Sequence, residues 1–77
     1  MEETEKLRIL IPHWIEHNAE HAAEFERWAR SGCPGCEHIL EAAHYMEAAN
    51  QALQAALEEL GGAVEGHAGH SHPHPHA

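Results

Sequence analysis

The chain has few positive charges and no long apolar run. Four Lys and Arg residues stand against thirteen Asp and Glu residues, which gives a formal charge of −9 at pH 7. Such a surface repels nucleic acid and anionic membranes, and no basic stripe offsets the repulsion. A membrane-spanning helix needs about 18 consecutive apolar residues, and no segment approaches that length. We therefore expect neither nucleic acid nor membrane as a partner, and we expect the charge to attract cations.

The sequence also lacks a recognisable export signal and the length for a large core. It opens with Met-Glu-Glu-Thr-Glu, which is acidic where a signal peptide carries basic residues, so we expect a cytoplasmic protein. Its 77 residues allow one domain at most. Without the His-rich end, about 60 residues remain, near the lower limit for independent folding. Oligomerisation or a bound metal is therefore expected to add stability.

Strand patterns are absent, and the apolar periodicity predicts an all-α fold. Apolar residues recur at three- and four-residue steps over about residues 5–30 and again over 37–60. Pro12 interrupts the first segment, so either a short helical turn ends near Ile11 and the main helix starts with Pro12 in its first turn, or one longer helix is kinked at the proline. Residues 31–36 contain two Gly and one Pro and predict a turn, and Gly61-Gly62 stops the second helix. The prediction is an antiparallel two-helix hairpin over residues 1–62, followed by a disordered tail over 63–77.

A two-helix hairpin leaves apolar residues uncovered on its outside. Leu10, Trp14, Trp28 and Leu40 fall there, which predicts that two hairpins pair into a four-helix bundle or that the hairpin docks onto a larger protein partner. Asn18 and Asn50 fall near the apolar stripes, so they are candidates to pair across the helices and fix their alignment.

Histidine, the commonest metal ligand in proteins, accounts for ten residues of the chain. His13, His17 and His21 follow one another at one-turn steps on one face of the first helix, so adjacent imidazoles could chelate a single ion. Glu20 or Glu24 could add an oxygen ligand, with water or a symmetry mate completing the site. The predicted set is His13, His17, His21 and Glu24. The alternative is a solvated acidic helix face.

The segment Cys33-Pro34-Gly35-Cys36 places two thiols at a spacing that can grip one metal ion. His38 is close enough along the chain to act as a third ligand. Two alternatives remain open for this pair. The cysteines could form a redox couple at a helix N-terminus, although such motifs normally act on folds that contain strands, or they could form a structural disulfide or remain idle thiols.

The last eleven residues alternate histidine with Gly, Ser and Pro, which prevents a packed core and leaves each imidazole as an independent ligand. This tail suits nickel, zinc or cobalt, with copper or iron also possible. Its predicted ligands are His67, His70, His72, His74 and His76.

On the second helix, Glu41-Ala-Ala-His44 matches the Glu-x-x-His element that di-iron bundles direct into their cores. His44, however, lies about 180° from the apolar stripe of its helix, at roughly 100° per residue, which predicts that it faces water.

The segment Ile11-Pro-His-Trp-Ile-Glu-His-Asn-Ala-Glu-His21, with Met46-Glu-Ala-Ala-Asn50 and Leu60-Gly-Gly, resembles a family of short, uncharacterised, His-rich helical proteins of bacteria and archaea. The resemblance covers most of residues 10–62 and implies a helical hairpin in a metal-related context. The segment from Glu20 to Trp28 is also loosely similar to a helix of encapsulated ferritins, whose two-helix protomers complete iron sites by dimerising.

Together, these patterns predict a small cytoplasmic protein that binds transition metals, as a nickel, cobalt or zinc chaperone, buffer or accessory subunit, and that is not an enzyme. One alternative is a ferritin-like di-iron oxidase assembled at a dimer interface, which requires His44 to point inward. The other is a metal-free helical subunit that docks onto a larger complex through its apolar face.

Overall fold

The computed structural model of the protein describes residues 2–64, which form two α-helices and no strand. Helix α1 spans Glu3–Ala29 and helix α2 spans Cys36–Glu59. The two helices pack against each other along their lengths in antiparallel directions, because contacts join residue 8 to residue 62 as well as residue 18 to residue 50. The all-α class and the helical hairpin predicted from the sequence are therefore confirmed.

Helix α1 is continuous through Pro12, so the alternative with one longer helix holds. Proline has no N–H group, and the helix lacks the hydrogen bond that this position would otherwise donate. Glu3 and Glu5 occupy the first turn, where carboxylates interact favourably with the positive end of the helix dipole. The residues predicted as metal ligands between His13 and Glu24 consequently share one uninterrupted helix.

Helix α2 ends in the arrangement that its two glycines predict. The Gly62 N–H donates to the Leu57 carbonyl at 2.8 Å, and the Gly61 N–H donates to the Glu58 carbonyl at 3.1 Å. Gly61 and Gly62 have positive φ angles of +106° and +89°, which residues other than glycine rarely adopt. This is a Schellman cap, and it satisfies carbonyls that the end of a helix otherwise leaves without partners.

Arg8 on α1 ties the capped end of α2 to the opposite helix. Its Nε donates to the Gly62 carbonyl at 2.6 Å, and its Nη2 lies 3.5 Å from the Gly61 carbonyl. A cation beside the last carbonyls of α2 also opposes the negative end of that helix dipole. The contact holds the N-terminal part of α1 against the C-terminal end of α2.

The core between the helices is small. Its buried members within residues 2–64 are Ile11, Ala22, Cys36, Ala43 and Leu57. Two of the five are alanines, which add little apolar area but let two helix backbones approach closely. Most of the other large apolar side chains are half-buried or exposed, so the single hairpin covers its apolar surface incompletely.

The two asparagines pair across the helices as predicted. Asn18 Nδ2 donates to Asn50 Oδ1 at 3.0 Å, and Asn50 Nδ2 donates to the backbone carbonyl of Ile15 at 2.9 Å. Both bonds are partly buried and join the middles of the two helices. They set the alignment of the hairpin, with residue 18 level with residue 50.

Asn50→Ala is expected to lower the free energy of unfolding by about 1–2 kcal/mol, because it removes both hydrogen bonds and leaves the partly buried Asn18 amide without its partner. Urea unfolding followed by circular dichroism measures the change, with Gln54→Ala as the matched control at an exposed position of the same helix. Equal effects of the two substitutions would show that the asparagine pair does not stabilise the hairpin.

Candidate metal centre

The three α1 histidines are exposed and lie along one side of the helix. His13, His17 and His21 are separated by four residues each, which is close to one helical turn of about 5.4 Å. A continuous α1 fixes the positions of their Cβ atoms relative to one another. Adjacent members of this set, named here the histidine stripe, are therefore spaced so that two imidazoles can reach the same ion.

Carboxylates flank the histidine stripe. Glu20 Oε1 lies 4.0 Å from His17 Nδ1, so an oxygen ligand is already close to the middle imidazole. Glu24, the carboxylate predicted as a ligand, lies 3.9 Å from Arg27 through its Oε2 atom. Both groups of that ion pair are more than half exposed, and such pairs contribute little free energy. Glu24 is therefore held only weakly by Arg27.

His21 differs from the other two because it borders the apolar surface. Its ring lies against that of Phe25, with centroids 6.2 Å apart and planes inclined by 28°. The contact places the imidazole beside Phe25, whose side chain lines the space between α1 and α2.

The single hairpin does not assemble a complete site. Within residues 2–64, no three His, Cys, Asp or Glu side chains are grouped so that they could hold a metal ion. A site with three protein ligands then requires side chains of the stripe to rotate toward a common ion, or ligands from a second molecule. Metal binding at His13, His17, His21 and Glu24 stays a prediction.

The cysteines of the turn are joined. Cys33 and Cys36 form a disulfide, with Cα atoms 5.1 Å apart, which corresponds to the structural alternative. The Cys33 N–H donates to Cys36 Sγ at 2.9 Å, and the Ser31 hydroxyl lies 3.6 Å from the same sulfur. Disulfide sulfurs carry no thiolate, so metal binding or redox chemistry at this pair begins with reduction.

His38, predicted as a third ligand beside the two cysteines, interacts with a residue of its own helix. Its side chain is 83% exposed, and its Nδ1 atom lies 3.5 Å from Glu41 Oε1. Glu41 also accepts a hydrogen bond from the Tyr45 hydroxyl at 3.2 Å. His38 is therefore near the disulfide in sequence but is engaged by a carboxylate one turn further along α2.

The Glu41 and His44 side chains are both exposed. The predicted outward direction of His44 is confirmed for the hairpin. The di-iron alternative needs both groups to face a bundle interior, and neither does so in the hairpin.

A groove that sequence reasoning missed lies between the helices near the turn. Phe25 and Trp28 line it from α1, and His38, Ile39 and Ala42 line it from α2, around a volume of about 370 Å³. The four residues predicted to lie on the outside are all exposed, with Trp28 the most exposed at 59%. The signal for the groove was the three-residue step from Ile39 to Ala42, which widens the apolar side of α2 beyond a single seam.

Several predictions fall outside the described residues. The five tail histidines and most of the predicted tail lie beyond residue 64. Within residues 2–64, neither helix has the length and apolarity to cross a bilayer.

Comparison with known proteins gives one match. The chain matches no curated protein and no solved structure. A family model described as a domain of unknown function, DUF8180, matches residues 7–32, about a third of the chain. The matched segment contains the whole histidine stripe and the Trp14 and Trp28 positions. The N-terminal helix is thus the part of this protein that is similar to an uncharacterised family.

Proposed function

We propose that this protein binds a divalent transition metal, nickel, zinc or cobalt, at the histidine stripe and acts as a chaperone, buffer or accessory subunit in handling that metal. The observation that supports the proposal most is the presence of three exposed imidazoles at one-turn steps on a single continuous helix. Each adjacent pair offers two nitrogen ligands without folding a loop around the ion.

The ligand chemistry favours borderline metals. Neutral imidazole suits zinc, nickel, copper and iron, whereas magnesium and calcium prefer sites made only of oxygen. Glu24, or Glu20 beside His17, supplies an oxygen ligand, and water fills the remaining positions. Copper is expected to bind more tightly than nickel or zinc in solution, because divalent affinities follow the Irving–Williams order whatever the biological cargo.

The exposure of the stripe suits exchange of the ion rather than its permanent retention. A structural zinc site is closed by four protein ligands, whereas the stripe of one hairpin leaves coordination positions open for water, for an acceptor protein or for a second copy. The net charge of −9 raises the local concentration of cations. Five further histidines in residues 67–76 supply additional, independent ligands that can hand ions to the stripe.

The turn supplies a second, conditional set of ligands. Reduction of the Cys33–Cys36 disulfide releases two thiols three residues apart, and His38 follows two residues later. Thiolates bind zinc well, so this set is expected to take up zinc only under reducing conditions.

The proposal is tested with the full-length chain in which the five tail histidines are replaced by serine. After purification without nickel resin, titration with Zn²⁺ or Ni²⁺ under non-reducing conditions is expected to saturate at no more than one ion per chain. Replacing His13, His17 and His21 together by asparagine is expected to abolish this binding. A tail-substituted chain that binds no ion would overturn the proposal. Extra zinc bound only after reduction would report the cysteine set separately.

A further inference from the structure

The hairpin has one side on which apolar residues of both helices meet, named here the open face. It comprises Trp14, His21, Phe25 and Trp28 of α1 and Ile39, Ala42, Met46 and Leu53 of α2. At roughly 100° per residue, the open-face residues of each helix lie to one side of the buried residues of that helix. The antiparallel arrangement brings both groups to the same side of the hairpin. The shared groove between Phe25, Trp28, Ile39 and Ala42 shows this directly near the turn.

The open face has the size of a small dimer interface. It covers 15 positions on each helix, about 22 Å, and two helices about 10 Å apart present on the order of 450 Å² over that length. Standard complexes bury about 800 Å² on each partner, and weaker complexes bury less. Five buried residues form the whole core within residues 2–64, and covering the open face buries Trp14 and Trp28, two of the large apolar side chains that one hairpin leaves exposed. The open face as defined contains no acidic residue.

The spacing of the α1 residues indicates a second copy of the same chain as the occupant. Trp14, His21 and Trp28 are seven residues apart, so they lie on nearly the same line along the helix. His21 lies midway between the two tryptophans, so this spacing is unchanged when the direction of the helix is reversed. An antiparallel copy therefore sets Trp14 against Trp28 of the second copy and sets the two His21 side chains opposite each other.

The apolar residues of α2 have their midpoint at the same level of the hairpin as His21. Ile39, Met46 and Leu53 are also seven residues apart, with Met46 in the middle. The hydrogen bond between Asn18 and Asn50 places residue 21 level with residue 47, one residue from Met46. A single two-fold axis, running across both helices at the level of His21 and Met46, therefore relates each helix of one copy to the same helix of the other.

From this geometry, we infer that two copies pack antiparallel through their open faces and that His17 and His21 of both copies form one shared metal site on the two-fold axis. The Trp14 side chain of each copy enters the groove between Phe25, Trp28 and Ile39 of the other. The metal part of this inference rests on the proposed function, whereas the pairing of the copies does not.

The shared site combines more metal ligands than one hairpin brings together. No three ligands are grouped within residues 2–64 of a single chain, but the axis brings two His21 imidazoles together. His17 precedes His21 by one turn, so each copy contributes a chelating pair. Four imidazoles provide the four-coordinate environment that zinc adopts. His13 lies a further turn from the axis and is outside this set.

The packing is tested without metal by His21→Cys in the full-length chain. Mild oxidation in chelator is expected to give a covalent dimer, with peptide mapping locating the bond between the two introduced cysteines. His44→Cys, an exposed histidine away from the open face, is the matched control and is expected to remain uncrosslinked. A monomeric chain in sedimentation, or a dimer that His21→Cys does not crosslink, would overturn the proposed packing.

The shared site is tested by sedimentation equilibrium of the tail-substituted chain with Zn²⁺ or with chelator. Saturating Zn²⁺ is expected to tighten dimerisation at least about tenfold, because the ion binds the dimer in preference to the monomer. His21→Asn is expected to remove this effect, and His13→Asn to preserve it. Zinc that binds without tightening the dimer would overturn the shared site and leave the proposed function standing. Absence of zinc binding would overturn both, while the crosslinking result would still decide the packing.

Discussion

An Ala43→Glu variant is expected to lose the cooperative unfolding transition and most of its helical circular dichroism at 25 °C. Ala43 has no exposed surface and lies in the seam between the helices. A carboxylate there is buried without a partner unless the helices separate, at a cost of several kcal/mol. The whole domain is expected to be stable by only about 3–9 kcal/mol. One substitution can therefore remove the hairpin.

The matched control is Ala48→Glu, which makes the same substitution at an exposed position of the same helix. Glutamate has a helix propensity within about 0.7 kcal/mol of alanine, so this control is expected to unfold nearly as the original chain does. Urea titration followed at 222 nm compares the two variants. If Ala43→Glu unfolds with the same midpoint as Ala48→Glu, then Ala43 does not lie in a helix–helix seam in solution.

The sequence predicted the elements of the hairpin because each boundary has a local chemical cause. Gly61 and Gly62 supply the positive φ angles that a Schellman cap needs, so the end of α2 could be predicted from two residues. The Asn18–Asn50 bond followed from two polar residues beside the apolar stripes. Arg8 was missed because its partners are backbone carbonyls 53 and 54 residues away, which leave no local pattern.

The candidate site was less predictable for two physical reasons. Helical spacing predicts which imidazoles share a side of α1, but it does not determine whether another chain covers that side. The state of Cys33 and Cys36 also depends on the redox potential of the surroundings, which two cysteines in a turn do not encode. Positions along one helix were thus predictable, whereas the completeness of the ligand set depends on neighbours outside the local sequence.

Among single substitutions in the histidine stripe, His17→Asn is expected to weaken metal binding most, by on the order of 100-fold or about 2.8 kcal/mol in the tail-substituted chain. His17 is one turn from His13 and one turn from His21, so its loss breaks both chelating pairs. It is also the imidazole with a carboxylate oxygen 4.0 Å away, from Glu20. His13→Asn leaves the His17–His21 pair intact and is expected to change the affinity only slightly.

Competition with a chromophoric chelator measures these affinities for Zn²⁺ and Ni²⁺, with His44→Asn as the control for loss of one exposed histidine on the other helix. The expected order of weakening is His17→Asn, then His21→Asn, then His13→Asn, with His44→Asn unchanged. Equal weakening by all four substitutions would mean that the chain binds metal through independent imidazoles attracted by its charge, without a shaped site. A larger loss at His13 than at His21 would move the site toward the N-terminal end of α1, away from the apolar border at Phe25, because His13 and His17 would then be the chelating pair.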